Sequence, residues 1–148
     1  MRVRRVVTGH DGNGKAVFAS DKQVDSLTLQ LMPGAEFHRL WGADQAPAFP
    51  DDGGPTAQPS YFPPVGGYRF GLSCVPPGTV SVPAGLDLQA ALAEVEEKLP
   101  GLLACVEPDN PGMHTTDTID FEVVLSGEVI LELDDGVEKV LRPGDTVV

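Results

Sequence analysis

The sequence predicts an all-β fold, a small β-barrel with one helix, and three observations carry that prediction. Gly and Pro are plentiful, 17 and 14 of 148 residues, and their scatter cuts the chain into short segments joined by turns. Strong helix formers gather in one segment only, residues 87–99. In the last third, Pro111-Gly-Met-His-Thr-Thr-Asp-Thr-Ile-Asp-Phe-Glu runs into Val123-Val-Leu-Ser-Gly-Glu-Val, followed by an Asp134-Asp-Gly136 turn and by Arg142-Pro-Gly-Asp145. A histidine and carboxylates are carried into a strand and glycine turns fold strand on strand, as when a small barrel brings polar groups to an apolar pocket.

Residues 1–41 read as N-terminal strands. Runs 2–8 and 15–20 are β-prone and flank the turn formers Gly9-His-Asp-Gly-Asn-Gly14, which predicts a hairpin. Gly9 to Lys15 also fits Gly-x4-Gly-Lys, the opening of a phosphate-binding loop. Ala16, however, stands where Ser or Thr must hold magnesium, and no helix pattern follows, so the nucleotide-binding reading is rejected. Residues 26–32 alternate apolar and polar, which predicts one half-buried strand turned by Pro33-Gly34. Residues 36–41 predict another, with Phe37, Arg39 and Trp41 on one side and His38 on the other as a rim or hydrogen-bonded histidine.

Residues 42–67 form a Pro/Gly-rich arm, and an unstructured connection of that length is uncommon in a small domain. Tyr61 and Phe62 need apolar cover, which favours a packed arm. Tyr68 to Val75 is the next strand, stopped by Pro76-Pro-Gly78. The helix 87–99 opens on Asp87 as N-cap and closes at Pro100-Gly101, with Leu88, Ala91, Leu92, Val95 and Leu99 on its apolar face. After a loop at 107–112 come strands 118–125, 128–134 and 137–141. The length fits one domain spanning 1–148.

Composition narrows the function classes. The net charge is −12, and residues 51–148 carry four basic against seventeen acidic side chains, which repels phosphate backbones and disfavours nucleic acid. Two cysteines, Cys74 and Cys105, lack Cys-x-x-Cys spacing and are expected as small buried hydrophobes. Neither a signal-peptide core nor a membrane-spanning apolar run is visible, which predicts a soluble cytoplasmic protein.

Residues 111–148 resemble the cupin superfamily, whose first motif has the form Gly-x5-His-x-His-x3–4-Glu-x6-Gly. Counting back from Gly127 places Asp120 at the acidic position, Thr116 at the second histidine and His114 at the first. The spacing matches while two of the three ligand types differ. Leu141-Arg-Pro-Gly-Asp145 looks like the opening of the second motif, whose further histidine does not follow before Val148. The resemblance implies a cupin-like, jelly-roll barrel, here incomplete, with a small-molecule pocket.

Strand alternation puts His114, Thr116, Thr118, Asp120, Glu122 and Val124 on one face and Ile119, Phe121, Val123 and Leu125 on the other. The apolar set suits the helix or a subunit interface. Facing inward, the polar set must be neutralised. One solution is a divalent metal, iron, manganese or zinc, on His114 and Asp120 with Glu122 as third ligand or base. Another is acid–base chemistry by His114 and Glu122 on a small organic acid or carbonyl compound. The alternative is a non-catalytic ligand-binding or structural module without a complete metal site. Missing closing strands would leave an unpaired sheet edge, which predicts a homodimer with exchanged strands or arm.

Overall fold

The computed structural model describes residues 1–78, 82–109 and 112–148; strands predominate in it and the helix stands where the sequence placed it. Asn110 and Pro111, part of the expected loop and the head of the motif region, lie outside the described residues. The chain divides into two compact units, Met1–Asp117 and Thr118–Val148.

The first unit opens with the expected hairpin. Strand β1 (Val3–His10) runs antiparallel to β2 (Ala16–Val24), with a bulge between Val7 and Thr8. Asp11 closes the turn, its carboxylate accepting the Asn13 and Lys15 N–H groups at 2.9 Å each, and Gly14 adopts φ +78°. The stretch that imitates a phosphate loop is therefore an Asp-closed hairpin turn. On the exposed face the Arg4 guanidinium grips Asp21 at 2.6 and 2.5 Å, which raises the pKa of Arg4 and lowers that of Asp21.

Strands β3 (Leu27–Leu29), β4 (Met32–Ala43) and β5 (Tyr68–Cys74) form an antiparallel sheet in that order. The expected single strand 26–32 is corrected: the chain reverses at Gln30 and Leu31, and Pro33-Gly34 lies inside β4. Register slips from Leu29↔Met32 to Leu27↔Phe37, so the proline, which has no N–H to give, and Gly34 at φ +86° are absorbed in a bulge. His38 also departs from expectation. It is buried, neither ring nitrogen has a hydrogen bond, and its Nε2 lies 3.5 Å from a Glu36 carboxylate oxygen that also takes the Met1 amino group. Cys74 is exposed at the end of β5 and Cys105 half-buried, so neither is the core residue expected. Both are free thiols.

Helix α1 (Leu88–Lys98) is capped by Asp87, whose carboxylate accepts the Ala90 N–H at 3.1 Å. Ala91, Val95 and Leu99 are buried, and Val95 and Leu99 join Leu29 in a core flanked by Leu27, Phe37, Tyr61 and Leu102. The apolar stripe is narrower than expected, with Leu88 50% and Leu92 36% exposed, because the helix covers the short edge strand β3. Glu94 fastens this contact: it accepts the Gln30 N–H at 2.8 Å and the Lys98 ammonium at 2.6 Å, and Lys98 also donates to the Thr28 carbonyl at 2.7 Å.

The Pro/Gly-rich arm is packed against its own unit. The Asp51 carbonyl accepts the His10 N–H at 2.7 Å, and the Tyr61 N–H donates to the Pro100 carbonyl at 2.8 Å. Contact is close at two glycines: a Cβ on Gly9 would lie 2.1 Å from the Asp52 carbonyl oxygen, and one on Gly53 2.6 Å from the Ala19 Cβ and 2.9 Å from the Thr8 carbonyl oxygen. Arg39 donates to the Gln58 and Ser60 carbonyls at 2.9 and 3.0 Å, and Arg69 holds Asp44 at 2.6 Å. Desolvation, with the Arg69 charge nearby, lowers the pKa of Arg39 from the ordinary guanidinium value.

The second unit is a ribbon. Strand β6 (Glu122–Val123) pairs with β9 (Thr146–Val147), and β7 (Val129–Glu132) with β8 (Glu138–Leu141), so one hairpin nests inside another. Asp135 and Gly136, at φ 61° and 69°, make the inner turn. At the outer irregularity Asp145 accepts the Arg142 N–H at 2.8 Å, and the Val124 N–H donates to the Asp145 carbonyl at 3.0 Å. The expected strand 118–125 shrinks to Glu122–Val123. Ahead of it the Thr118 hydroxyl donates to Asp120 at 3.1 Å, and such local bonds compete with ladder pairing. No described residue of this unit is buried, and Ile119, Phe121, Val123 and Leu125 are exposed. Among the described residues no helix is long and apolar enough to cross a membrane.

Candidate functional site

His114 belongs to the first unit, whereas Asp120 and Glu122 belong to the second. His114 forms an isolated antiparallel bridge with Val106, flanked by the Thr115 N–H donating to the Cys105 carbonyl at 3.0 Å and the Glu107 N–H to the Met113 carbonyl at 2.9 Å. This pairing holds the imidazole against the arm, where its ring stacks on Phe62 with centroids 5.6 Å apart and planes inclined by 23°. Phe62 in turn meets Tyr61 edge-to-face at 5.0 Å. The aromatic pair that the sequence says needs cover is thus partly covered by the candidate histidine itself.

Phe62 lines an open cavity of about 500 Å³ whose other walls include Ser60, Pro100, Cys105, Thr115 and Asp117. His114 is exposed on the neighbouring strand position, so its ring is accessible to a ligand resting on that surface. The half-buried Cys105 thiol is turned to the Gly101 carbonyl, with its sulfur 3.7 Å away.

Asp120 and Glu122 are both exposed, Asp120 in unpaired chain and Glu122 in β6 opposite Val147. The alternation used to put them on one face with His114 needs continuous strand, and the ladder begins only at Glu122. Among the described residues no three His, Cys, Asp or Glu side chains gather as a metal's ligands would.

The sequence reading missed a second cavity in the first unit. It holds about 590 Å³ between the β1–β2 hairpin and the sheet of β4 and β5, and Arg5, Trp41, Phe49, Tyr68 and Phe70 line it. The only signal in the sequence was the single tryptophan, Trp41, which β4 carries just after a bulge that separates it from Arg39. Its partner, Arg5, lies thirty-six positions earlier, and no local motif connects them.

No family model matches the chain. It is 31% identical over 146 residues to phomopsin biosynthesis cluster protein C′ of Diaporthe leptostromiformis, a match covering 97% of this chain and 64% of that protein. It is 30% identical over 146 residues to phomopsin biosynthesis cluster protein D of the same organism, with the same coverage. The chain therefore spans just under two thirds of the length of these relatives.

Proposed function

We propose that the chain is a cupin-like protein that holds a small organic acid or carbonyl compound, and that it serves a biosynthetic cluster, as the names of its relatives, phomopsin biosynthesis cluster proteins, say of those proteins. The observation that carries the reading is the accessible His114 ring, fixed on Phe62 at the edge of a cavity large enough for a small metabolite. Its imidazole takes a proton from, or returns one to, the carbon or oxygen next to a ligand carbonyl. The nested pairing of β6 with β9 around β7 and β8 supports a jelly-roll reading, in which the glycine turns at Gly127 and Gly144 fold the ribbon. Two free cysteines, one exposed, suit a reducing compartment, and the proposal includes a cytoplasmic location.

A proton-transfer role is tested by NMR, following exchange of the pyruvate methyl protons for solvent deuterium. General acid–base catalysis contributes about 10²–10⁴-fold, and the expected acceleration is on that order and lost in His114→Ala. No acceleration over buffer sinks the catalytic reading and leaves the non-catalytic ligand-binding module. The metal reading has its own test in elemental analysis of protein purified without chelators. Stoichiometric iron, manganese or zinc that disappears in His114→Ala or Asp120→Ala supports it, and metal-free protein ends it.

The proposal extends to a homodimer. Two-stranded ribbons are marginal in water, and the described ribbon has free edges and exposed Ile119, Phe121 and Leu125. The arm is already docked on β1 and β4 of its own unit, so strands of the ribbon are the elements exchanged. A stable monomer by light scattering at micromolar concentration would end this part.

A further inference from the structure

The cavity between the two N-terminal sheets contains a cation that the protein does not neutralise. Arg5 donates through Nη1 to the Leu40 carbonyl at 2.6 Å, and its guanidinium carbon sits 5.4 Å from the Trp41 ring centroid. Its Nε is shut off from solvent without a hydrogen-bond partner. Among the described residues no carboxylate forms an ion pair with it. Of the other charged groups on the cavity wall, Arg4 is held by Asp21, and Asp51 remains an anion whose carboxylate accepts the Gly53 N–H at 2.7 Å and is not ion-paired with Arg5. Holding a partly dehydrated guanidinium without a counter-ion is costly, and with Nε closed off and Nη1 on Leu40 the remaining Nη hydrogens are the donors left to meet a carboxylate.

The walls specify what the carboxylate is attached to. Trp41, Phe49, Tyr68 and Phe70 all line the cavity, and Phe49 and Phe70 are 76% and 60% exposed, so these rings are not spent on the core. Flat aromatic surface of this kind stacks on a flat ligand. The wall is also rigid, because the segment bearing Asp51 and Gly53 is clamped on β1 at Gly9 too tightly for any side chain to intervene. At His10, Nδ1 lies 3.1 Å from the Asp51 carbonyl, which can only accept; Nδ1 therefore carries the proton and Nε2 remains for another partner.

We propose that this cavity is a binding site for a small aromatic carboxylate, with Arg5 pairing the carboxylate and the rings of Trp41 and Phe70 stacking on its body. The site is separate from His114 and does not depend on the reading given for that residue. A volume of 590 Å³ accommodates one- and two-ring acids. In a chain of net charge −12, an anion is held only where a local cation outweighs the general repulsion, and Arg5 is such a place.

The test titrates the whole chain with benzoate, 2-naphthoate and benzamide, read by calorimetry and, for benzoate, by the fluorescence of the single tryptophan, Trp41. Both acids are expected to bind, naphthoate more tightly, and benzamide, which keeps the ring and loses the charge, at least tenfold more weakly than benzoate. Arg5→Gln is expected to weaken benzoate at least tenfold. Lys22→Gln, which removes one exposed charge from the same hairpin outside the cavity, is expected to change it less than twofold. Equal binding of benzoate and benzamide overturns the proposal, as does no binding of either acid up to 10 mM. Should Arg5→Gln fail to fold, the acid-against-amide comparison on the unaltered chain decides alone.

Discussion

Replacing Leu99 by Ala tests whether the helix and edge strand β3 are held by one small core. Leu99 has no exposed surface and packs with Val95 and Leu29, and only seven apolar residues are buried among those described. Leucine-to-alanine changes at fully buried sites cost about 3–5 kcal/mol, combining lost transfer energy with the cavity left behind. Against a total stability of about 5–15 kcal/mol, that is a large fraction. With an m-value of about 1.5 kcal/mol/M, a loss of about 3 kcal/mol moves the urea midpoint down by about 2 M. Trp41 fluorescence reports the unfolding of this unit, with far-ultraviolet circular dichroism as the second probe. Leu92→Ala on the same helix is the internal control: Leu92 is 36% exposed, and its loss is expected to cost under about 1 kcal/mol. Equal shifts for the two variants, or a Leu99→Ala midpoint within 0.5 M of the parent, would refute the assignment of the core to this face.

Three further predictions concern the arm, the ribbon and the helix contact. Gly53→Ala places a Cβ 2.6 Å from the Ala19 Cβ of β2 at a backbone φ of +75°, so the arm must lift from the β1–β2 hairpin; a loss of about 1–3 kcal/mol and faster proteolysis within residues 42–67 are expected. Glu132 and Glu138 stand directly opposite each other in β7 and β8, and Glu138→Lys should stabilise the ribbon by about 0.2–1 kcal/mol, read as slower amide exchange at Leu131 and Val140. Bonding to Lys98 and then to the Gln30 N–H holds the Glu94 pKa below its ordinary 4.5. A carboxylate depressed in the folded state contributes stability above that value and loses it as pH falls through the lower folded pKa. The parent should therefore lose stability below pH 4.5 more steeply than Glu94→Gln, and parallel curves would count against the role assigned to Glu94.

Much of the local architecture was legible in the residues because it depends on neighbours in sequence. The turn at Asp11–Gly14, the cap at Asp87, the helix Leu88–Lys98 and the hairpin through Asp134–Gly136 arise from side chains bonding their own backbone or from glycine at positive φ. The failures share one cause. Alternation from 26 to 32 and from 114 to 124 was extended across positions where a bulge, a reversal or a local threonine–aspartate bond interrupts pairing, and a side-chain period has meaning only while the ladder continues. That break leaves the common face of His114, Asp120 and Glu122 without the strand on which it was argued.

By itself the sequence determined a strand-rich chain with one amphipathic helix, an arm needing cover, and a histidine and two acids placed near glycine turns. Only the tertiary structure decided that the arm folds back on β1, that His38 is buried without a hydrogen bond, that His114 rests on Phe62, and that Arg5 meets Trp41 across two sheets. The division is physical. Turns and caps are settled by interactions over a few residues, whereas cavities and uncompensated charges come from packing distant segments, whose pairing no short motif encodes.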